Sequence, residues 1–326
     1  MPTLKRLIPL LLAIVVIGAV MAADASPRQA SRQEIAFERW VGDGEPDEEM
    51  WVMGPDGTNQ RRLAKGCCFT WSSDGTRIAF LDDGLRVINV DGTGSKVLAD
   101  VGNGYSLSPD WRRVAFPSDD HIWVADIDGS RRVRLTSPPP QSWDMNPQWS
   151  PNGKLIVFER HLAENGREGL DIFVVKADGT GERRLTYDLG NTGPAWAPSS
   201  TRIAYSGYTD QFELYVVNVD GSGRRQLTHT EALAPSWSPT GSRIVFVSDG
   251  EVHIIRPDGR RHKRVARGRN DVPRWAPDAR SIVFRRETRN QWDVHVTTVS
   301  GKDLTNLTHT AKPLFEDVPA WSPAAR

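Results

Sequence analysis

"PQWSPNGKLIVFER", residues 147–160, returns with small changes as "PAWAPSSTRIAYSG" (194–207), "PSWSPTGSRIVFVS" (235–248) and "PRWAPDARSIVFRR" (273–286). A phrase that recurs every few tens of residues sets the architecture before any single residue does. Its anchor is a Trp: Trp71, Trp149, Trp196, Trp237, Trp275 and Trp321, with Leu107 of "SLSPD" in the remaining slot. The 250 residues from Trp71 to Trp321 hold six steps of about 42.

Three further landmarks keep the same beat. An Ile-Ala-Phe-like strand begins at Ile35, Ile78, Val114, Ile156, Ile203, Ile244 and Ile282. An alternating strand then runs into a tight turn: "MWVMGPDG", "LRVINVDG", "IWVADIDG", "IFVVKADG", "LYVVNVDG", "VHIIRPDG" and "VHVTTVSG". A short Leu-Thr strand closes the unit, clearest at Leu135-Thr136, Leu185-Thr186, Leu227-Thr228 and Leu307-Thr308. Period-2 alternation marks pleated strands, and Asp-Gly supplies the positive φ that a hairpin turn needs. Pro147, Pro194, Pro235, Pro273 and Pro319 stand at strand entries, where no ladder donor is lost. No amphipathic helix is legible after the N-terminal segment.

Four strands per unit at this period predict an all-β propeller of seven four-stranded antiparallel blades. Six or eight blades are the alternatives, because the Leu107 unit is the poorest match. The repeat opens at Ile35 without a Trp strand and finishes on "VPAWSPAAR" with nothing after it. One blade is therefore expected to combine both ends and close the ring, removing two open sheet edges.

Lys5 and Arg6 precede an apolar run of 17 residues, Leu7 to Ala23, followed by "DASPRQASRQ". That order reads as a signal peptide over residues 1–25, or an uncleaved N-terminal anchor, then a linker over 26–33. The propeller is assigned to residues 34–326, outside the cytoplasm: periplasmic, cell-surface or secreted. Lys and Arg number 41 and Asp and Glu number 41, so no global field draws the chain to nucleic acid.

The phrase P-x-W-S-P-D-G-x-x-I-A-F, followed by I-Y-V-x-x-x-D-G and R-x-L-T, resembles the TolB-like propeller repeat family. The resemblance covers residues 34–323, the propeller part only. The family's namesake has an α/β domain before a six-bladed propeller, and here Ile35 follows the apolar segment almost at once. A translocation role resting on that domain is not carried over. What the resemblance implies is a cell-envelope complex with a protein partner.

Candidate functional residues were weighed against structural roles. The recurring Trp reads as packing between blades. The Asp-Gly turns lack the alternating oxygen ligands and closing Glu of a calcium loop. His253 and His295 share a slot filled elsewhere by Trp51, Trp123, Phe173 and Tyr215, which points to a flat side chain rather than a metal ligand. No metal or cofactor is predicted. The adjacent Cys67 and Cys68 could form a vicinal disulfide, which cannot staple distant segments.

Asn103, Asp144, Asn146, Asn191, Asp271 and Asp317 lie just before the Trp strands, and are expected around one mouth of the central channel. They are the candidate binding residues, although Asx residues also cap turns locally. Arg256, Arg260, Arg261, Lys263 and Arg264 form a basic patch that could meet an anionic polymer or an acidic protein. There is no G-x-S-x-G, no H-E-x-x-H and no phosphate loop. The expected function is a monomeric, non-enzymatic, protein-binding scaffold. The alternative is a propeller glycan lyase or hydrolase using Asp144, Asp271 and Asp317.

Overall fold

A computed structural model describes residues 33–41, 47–102, 104–164, 166–288, 291–309 and 315–323. The described residues form seven antiparallel four-stranded sheets. Blade 1 joins Phe315–Trp321 to Ile35–Val41, Asp47–Met53 and Arg61–Lys65. The other blades each use one continuous stretch; their first strands are Cys67–Trp71, Ser106–Leu107, Trp143–Trp149, Asn191–Trp196, Leu233–Trp237 and Asn270–Trp275. The Leu107 unit is thus a full blade with a very short first strand. The signal or anchor segment 1–25, most of the linker 26–33 and Asn103 lie outside the described residues. Among the described residues, no helix is long and apolar enough to cross a membrane.

Every blade face is covered by a neighbour, which explains why the second strands are apolar without a break. In "LIVF", Ile156 and Phe158 pack toward Ile122, Val124 and Leu135 of blade 3. Val157 between them packs toward Ile203 and Tyr205 of blade 5. Successive residues serve opposite faces, and both faces are dry. The circle is completed by Ile35, Phe37 and Met53 of blade 1 against Val283, Val294 and Leu307 of blade 7. On the other side, Ala36 and Val52 meet Ile78 and Phe80 of blade 2.

The repeated Trp is an inter-blade fastener. In four of the six Trp slots the indole N–H donates to a carbonyl on the preceding blade's first strand: Trp71 to Ala320 (3.2 Å), Trp196 to Gln148 (3.0 Å), Trp237 to Ala195 (3.1 Å) and Trp275 to Ser236 (3.1 Å). The Trp149 and Trp321 indoles are held by packing alone. The Leu-Thr motif has an equally local cause. Outer strands in blades 3, 4, 5 and 7 are only two residues long, and there the Thr hydroxyl accepts a third-strand N–H. The pairs are Ile122 with Thr136, Ile172 with Thr186, Leu214 with Thr228 and Val294 with Thr308. The side chain replaces a ladder bond that the short strand cannot supply.

Candidate functional site

Each first strand begins at one mouth of the ring, and a left-handed residue stands three positions before its Trp or Leu. Cys68, Gly104, Asn146, Gly193, Ala234, Val272 and Val318 all have φ between 40° and 82°. The strand bulges there, and its pairing register shifts, as between Met145 and Gln148. The mouth is built from these bulges, the hairpins between second and third strands, and the loops entering the next blade.

The channel-mouth candidates fare differently from one another. Asp144 is buried, and both its oxygens accept from Arg160 (2.5 and 2.9 Å), which also binds Glu182. Asn191 is fully buried and donates to Asp171 (2.7 Å). Asn146 is exposed and donates to Glu159 (2.7 Å). Asp271 and Asp317, on neighbouring blades, converge on one guanidinium: Arg285 donates to Asp271 (2.7 Å) and to Asp317 (2.6 Å). Each of these two also accepts the N–H of the next residue, Val272 or Val318. The acids thus serve blade joints and bulges.

Glu38, not singled out from the sequence, belongs to this cluster. Its carboxylate accepts the Cys68 N–H (2.6 Å) from the next blade. Glu159 of blade 4 does the same with the Gly193 N–H of blade 5 (2.6 Å). Burial, with help from the charges of Asp317 and Glu48, pushes the Glu38 carboxyl up to about 7. The signal available in sequence was its register: Glu38, Glu159 and Arg285 all stand three residues after the first residue of the Ile-Ala-Phe-like strand.

A second feature shares this face. Tyr187 and Tyr208 are 68 and 51% exposed and line a groove between blades 4 and 5 with Arg167 and Asp188. Trp143, 38% exposed, stacks on His161 at 3.7 Å on the same end of blade 4. These three are the large exposed aromatics among the described residues. The second and third strands of blade 4, Leu155–Glu164 and Arg167–Lys176, are ten residues each and are the longest in the ring.

The basic patch sits on the opposite face, at the outer turn of blade 6. Lys263 is tied to the Val299 and Ser300 carbonyls, and Arg264 to Glu251 (2.9 Å). Arg256, Arg260 and Arg261 are solvent-exposed around the turn. A cleft of about 850 Å³ on this same face is lined by Glu34, Asp56, Arg61 and Asp91. Its acids are spent locally: Asp56 on Thr58, Asp91 on Thr93 and Glu34 on Arg61. His253 and His295 lie on Phe246 and Phe284 of their own blades, as Phe173 lies on Phe158. Cys67 and Cys68 lie at the mouth of blade 2 with their sulfurs 2.8 Å apart.

Residues 189–326 match the TolB beta propeller domain family. A protein from Sulfurisphaera tokodaii named for a Tricorn-like protease N-terminal subunit is 38% identical over 87 residues, 26% of this chain and 42% of that protein. The Tol-Pal system protein TolB of Rhizorhabdus wittichii is 35% identical over 79 residues, 24% of this chain and 17% of that protein. Both matches span less than half of the relative. Among solved structures, an oligogalacturonate lyase in complex with manganese superposes with a TM-score of 0.66 at 14% identity, over 78% of this chain and 84% of that one. At that identity the likeness concerns the fold. The repeat phrase and the blade architecture run through all seven blades, and over residues 189–326 the chain is similar to the TolB beta propeller domain family.

Proposed function

We propose that the chain is a non-enzymatic, protein-binding propeller of the cell envelope, either secreted or held at the membrane by its apolar N-terminal segment. The observation that carries this reading is the clustering of Trp143, Tyr187 and Tyr208 on one face of adjacent blades, beside Arg167 and the projecting hairpin of blade 4. Solvent-facing Tyr, Trp and Arg are the residue types that anchor protein interfaces. The kinship with Tol-Pal system proteins supports an envelope partner, and the Leu7–Ala23 segment supports export. The chain acts as a monomer, since each blade face is already covered by its neighbour. Arg256, Arg260 and Arg261 form a separate surface for an anionic polymer.

The test is capture of a partner from the envelope fraction by wild type and by the Tyr187→Ala/Tyr208→Ala double variant. At least about tenfold weaker capture, with an unchanged melting temperature, is expected for two interface anchors. Equal capture by both proteins overturns the assignment of this face.

A second reading has its own observation. Asp271 and Asp317 share Arg285, Glu38 stands opposite Asp317 across the first two strands of blade 1, and a carboxyl held near 7 suits general acid–base chemistry on a glycan. Turnover of an acidic oligosaccharide, abolished by Glu38→Gln, would establish the enzyme instead.

A further inference from the structure

Cys67 and Cys68 are the only cysteines in the chain, and the fold gives them a fixed and unusual setting. Cys68 occupies the left-handed bulge position of blade 2, with φ of 58°. Its N–H is held by Glu38 of blade 1 (2.6 Å) and its carbonyl by the Tyr105 hydroxyl of blade 3 (2.8 Å). The peptide unit bearing the second thiol is thus gripped from both neighbouring blades. On that rigid mount the two sulfurs face each other at 2.8 Å, with Cys68 exposed at the mouth and Cys67 half-buried behind it.

A bond between neighbours in sequence cannot restrain distant parts of the chain, so its formation would serve a local chemical state. We propose that Cys67–Cys68 is a redox modification site, a mouth-facing dithiol that closes to a vicinal disulfide by exchange with an incoming disulfide. The Cys68 thiolate attacks one sulfur of the incoming disulfide and expels the other as a thiolate, leaving a mixed disulfide. The Cys67 thiol then loses its proton to solvent, and its sulfur attacks the Cys68 sulfur. The remaining incoming thiolate departs. Two protein thiols are oxidised and one external disulfide is reduced to two thiols.

The division of labour follows from the surroundings. Cys68 is exposed and meets an incoming disulfide first, while Cys67 is half-buried behind it, and the hydrogen bond between the two sulfurs holds the Cys68 thiol below its ordinary range. That same hydrogen bond, together with burial and the nearby Glu48, pushes the Cys67 thiol far up. Glu38 and Glu48 face the pair from blade 1; the Glu48 charge opposes ionisation of both sulfurs and the Glu38 charge that of Cys68. Cys68 is therefore the attacking group and Cys67 the resolving one. Closing the ring re-angles the peptide whose N–H binds Glu38, so the state of the pair reaches the joint between blades 1 and 2.

The experiment exposes the reduced, folded full-length chain to oxidised glutathione and follows intact mass and the peptide carrying residues 67 and 68. The expected wild-type product has lost two hydrogens and retains no glutathione. Cys67→Ser should accumulate the glutathione adduct on Cys68, whereas Cys68→Ser should react at least about tenfold more slowly. The reduced chain should capture one phenylarsine oxide, and the oxidised chain none. Melting temperatures of both variants establish that they are folded. Thiols that stay unmodified until denaturation, a stable wild-type adduct, mainly cross-linked dimers, or equal rates for the two variants would each overturn the proposal.

Discussion

Blade 4 is one unbroken stretch, residues 143–184, whereas blade 1 takes its first strand from residues 315–321 and the rest from residues 35–65. Both nevertheless carry the same buried ion pair at the same place. In blade 4, Arg160 opposes Asp144 across the first two strands, with its guanidinium 4.5 Å from the Phe173 ring. In blade 1, Arg39 opposes Glu316 and lies 4.1 Å from the Trp51 ring. Where the covalent chain is missing, the ring is closed by the pairing chemistry of an ordinary blade. The charged pair adds register: slipping by one residue would bury an arginine without its acid.

The sharpest way to break this comparison is to remove each arginine. Arg160→Ala and Arg39→Ala both leave a buried carboxylate uncompensated, and each should cost about 3–5 kcal/mol in chemical denaturation. Their local consequences should part. In Arg39→Ala, hydrogen exchange should accelerate across residues 315–321, a strand that no hairpin joins to its partner Ile35–Val41. In Arg160→Ala, residues 143–149 remain tethered on both sides and should stay protected below the global transition. Equal protection of the two strands would mean that connectivity does not matter to the seam.

Acidity probes the seam next. Glu38 stands one residue before Arg39, and its folded pKa is raised from 4.5 to about 7. The folded state therefore holds this proton more tightly than the unfolded chain. Its stabilising contribution is complete below about pH 4.5 and is lost as pH rises through about 7. Glu38→Gln should flatten that part of the stability–pH curve by about 3 kcal/mol, an order-of-magnitude figure. The slope should survive unchanged in Glu159→Gln, the blade 4 counterpart, and a flat wild-type profile would refute the assignment.

The smallest effect separates the blades by their outer edges. Thr186 supplies the acceptor that the two-residue outer strand of blade 4 lacks, while blade 1 has five residues, Arg61–Lys65, in that role. Thr186→Val should cost about 1–3 kcal/mol, because a buried N–H loses its partner. Thermal unfolding of the pure variant checks this, and a neutral result would show that water reaches the Ile172 amide.

Much of the fold was legible because repetition states the same physics seven times. The Trp slots, the Asp-Gly turns and the split first blade follow from period and turn chemistry alone. The site was less legible, and Asp144 shows why. Asp144 and Trp149 are five apart, which in a regular strand puts them on opposite faces. The left-handed bulge at Asn146 adds a residue and reverses that parity, so Asp144 turns in toward Arg160 rather than out to the channel. The acid–arginine coupling was visible only by comparing units: Asp144 with Arg160 repeats as Glu316 with Arg39. Glu38 is illegible for a different reason, since its raised pKa comes from burial, aided by Asp317 and Glu48, all of which only folding creates. The exposed aromatics sit where the repeat phrases do not reach, Tyr187 in the loop between blades 4 and 5 and Tyr208 at the hairpin between the second and third strands of blade 5.

The indole hydrogen bonds run one way, blades 2, 5, 6 and 7 each reaching back to the one before. Each of those repeats thus brings its own hook. A copy of such a repeat slipped into the circle would find a catch behind it, which makes adding or losing a whole blade chemically gentler than altering the inside of one.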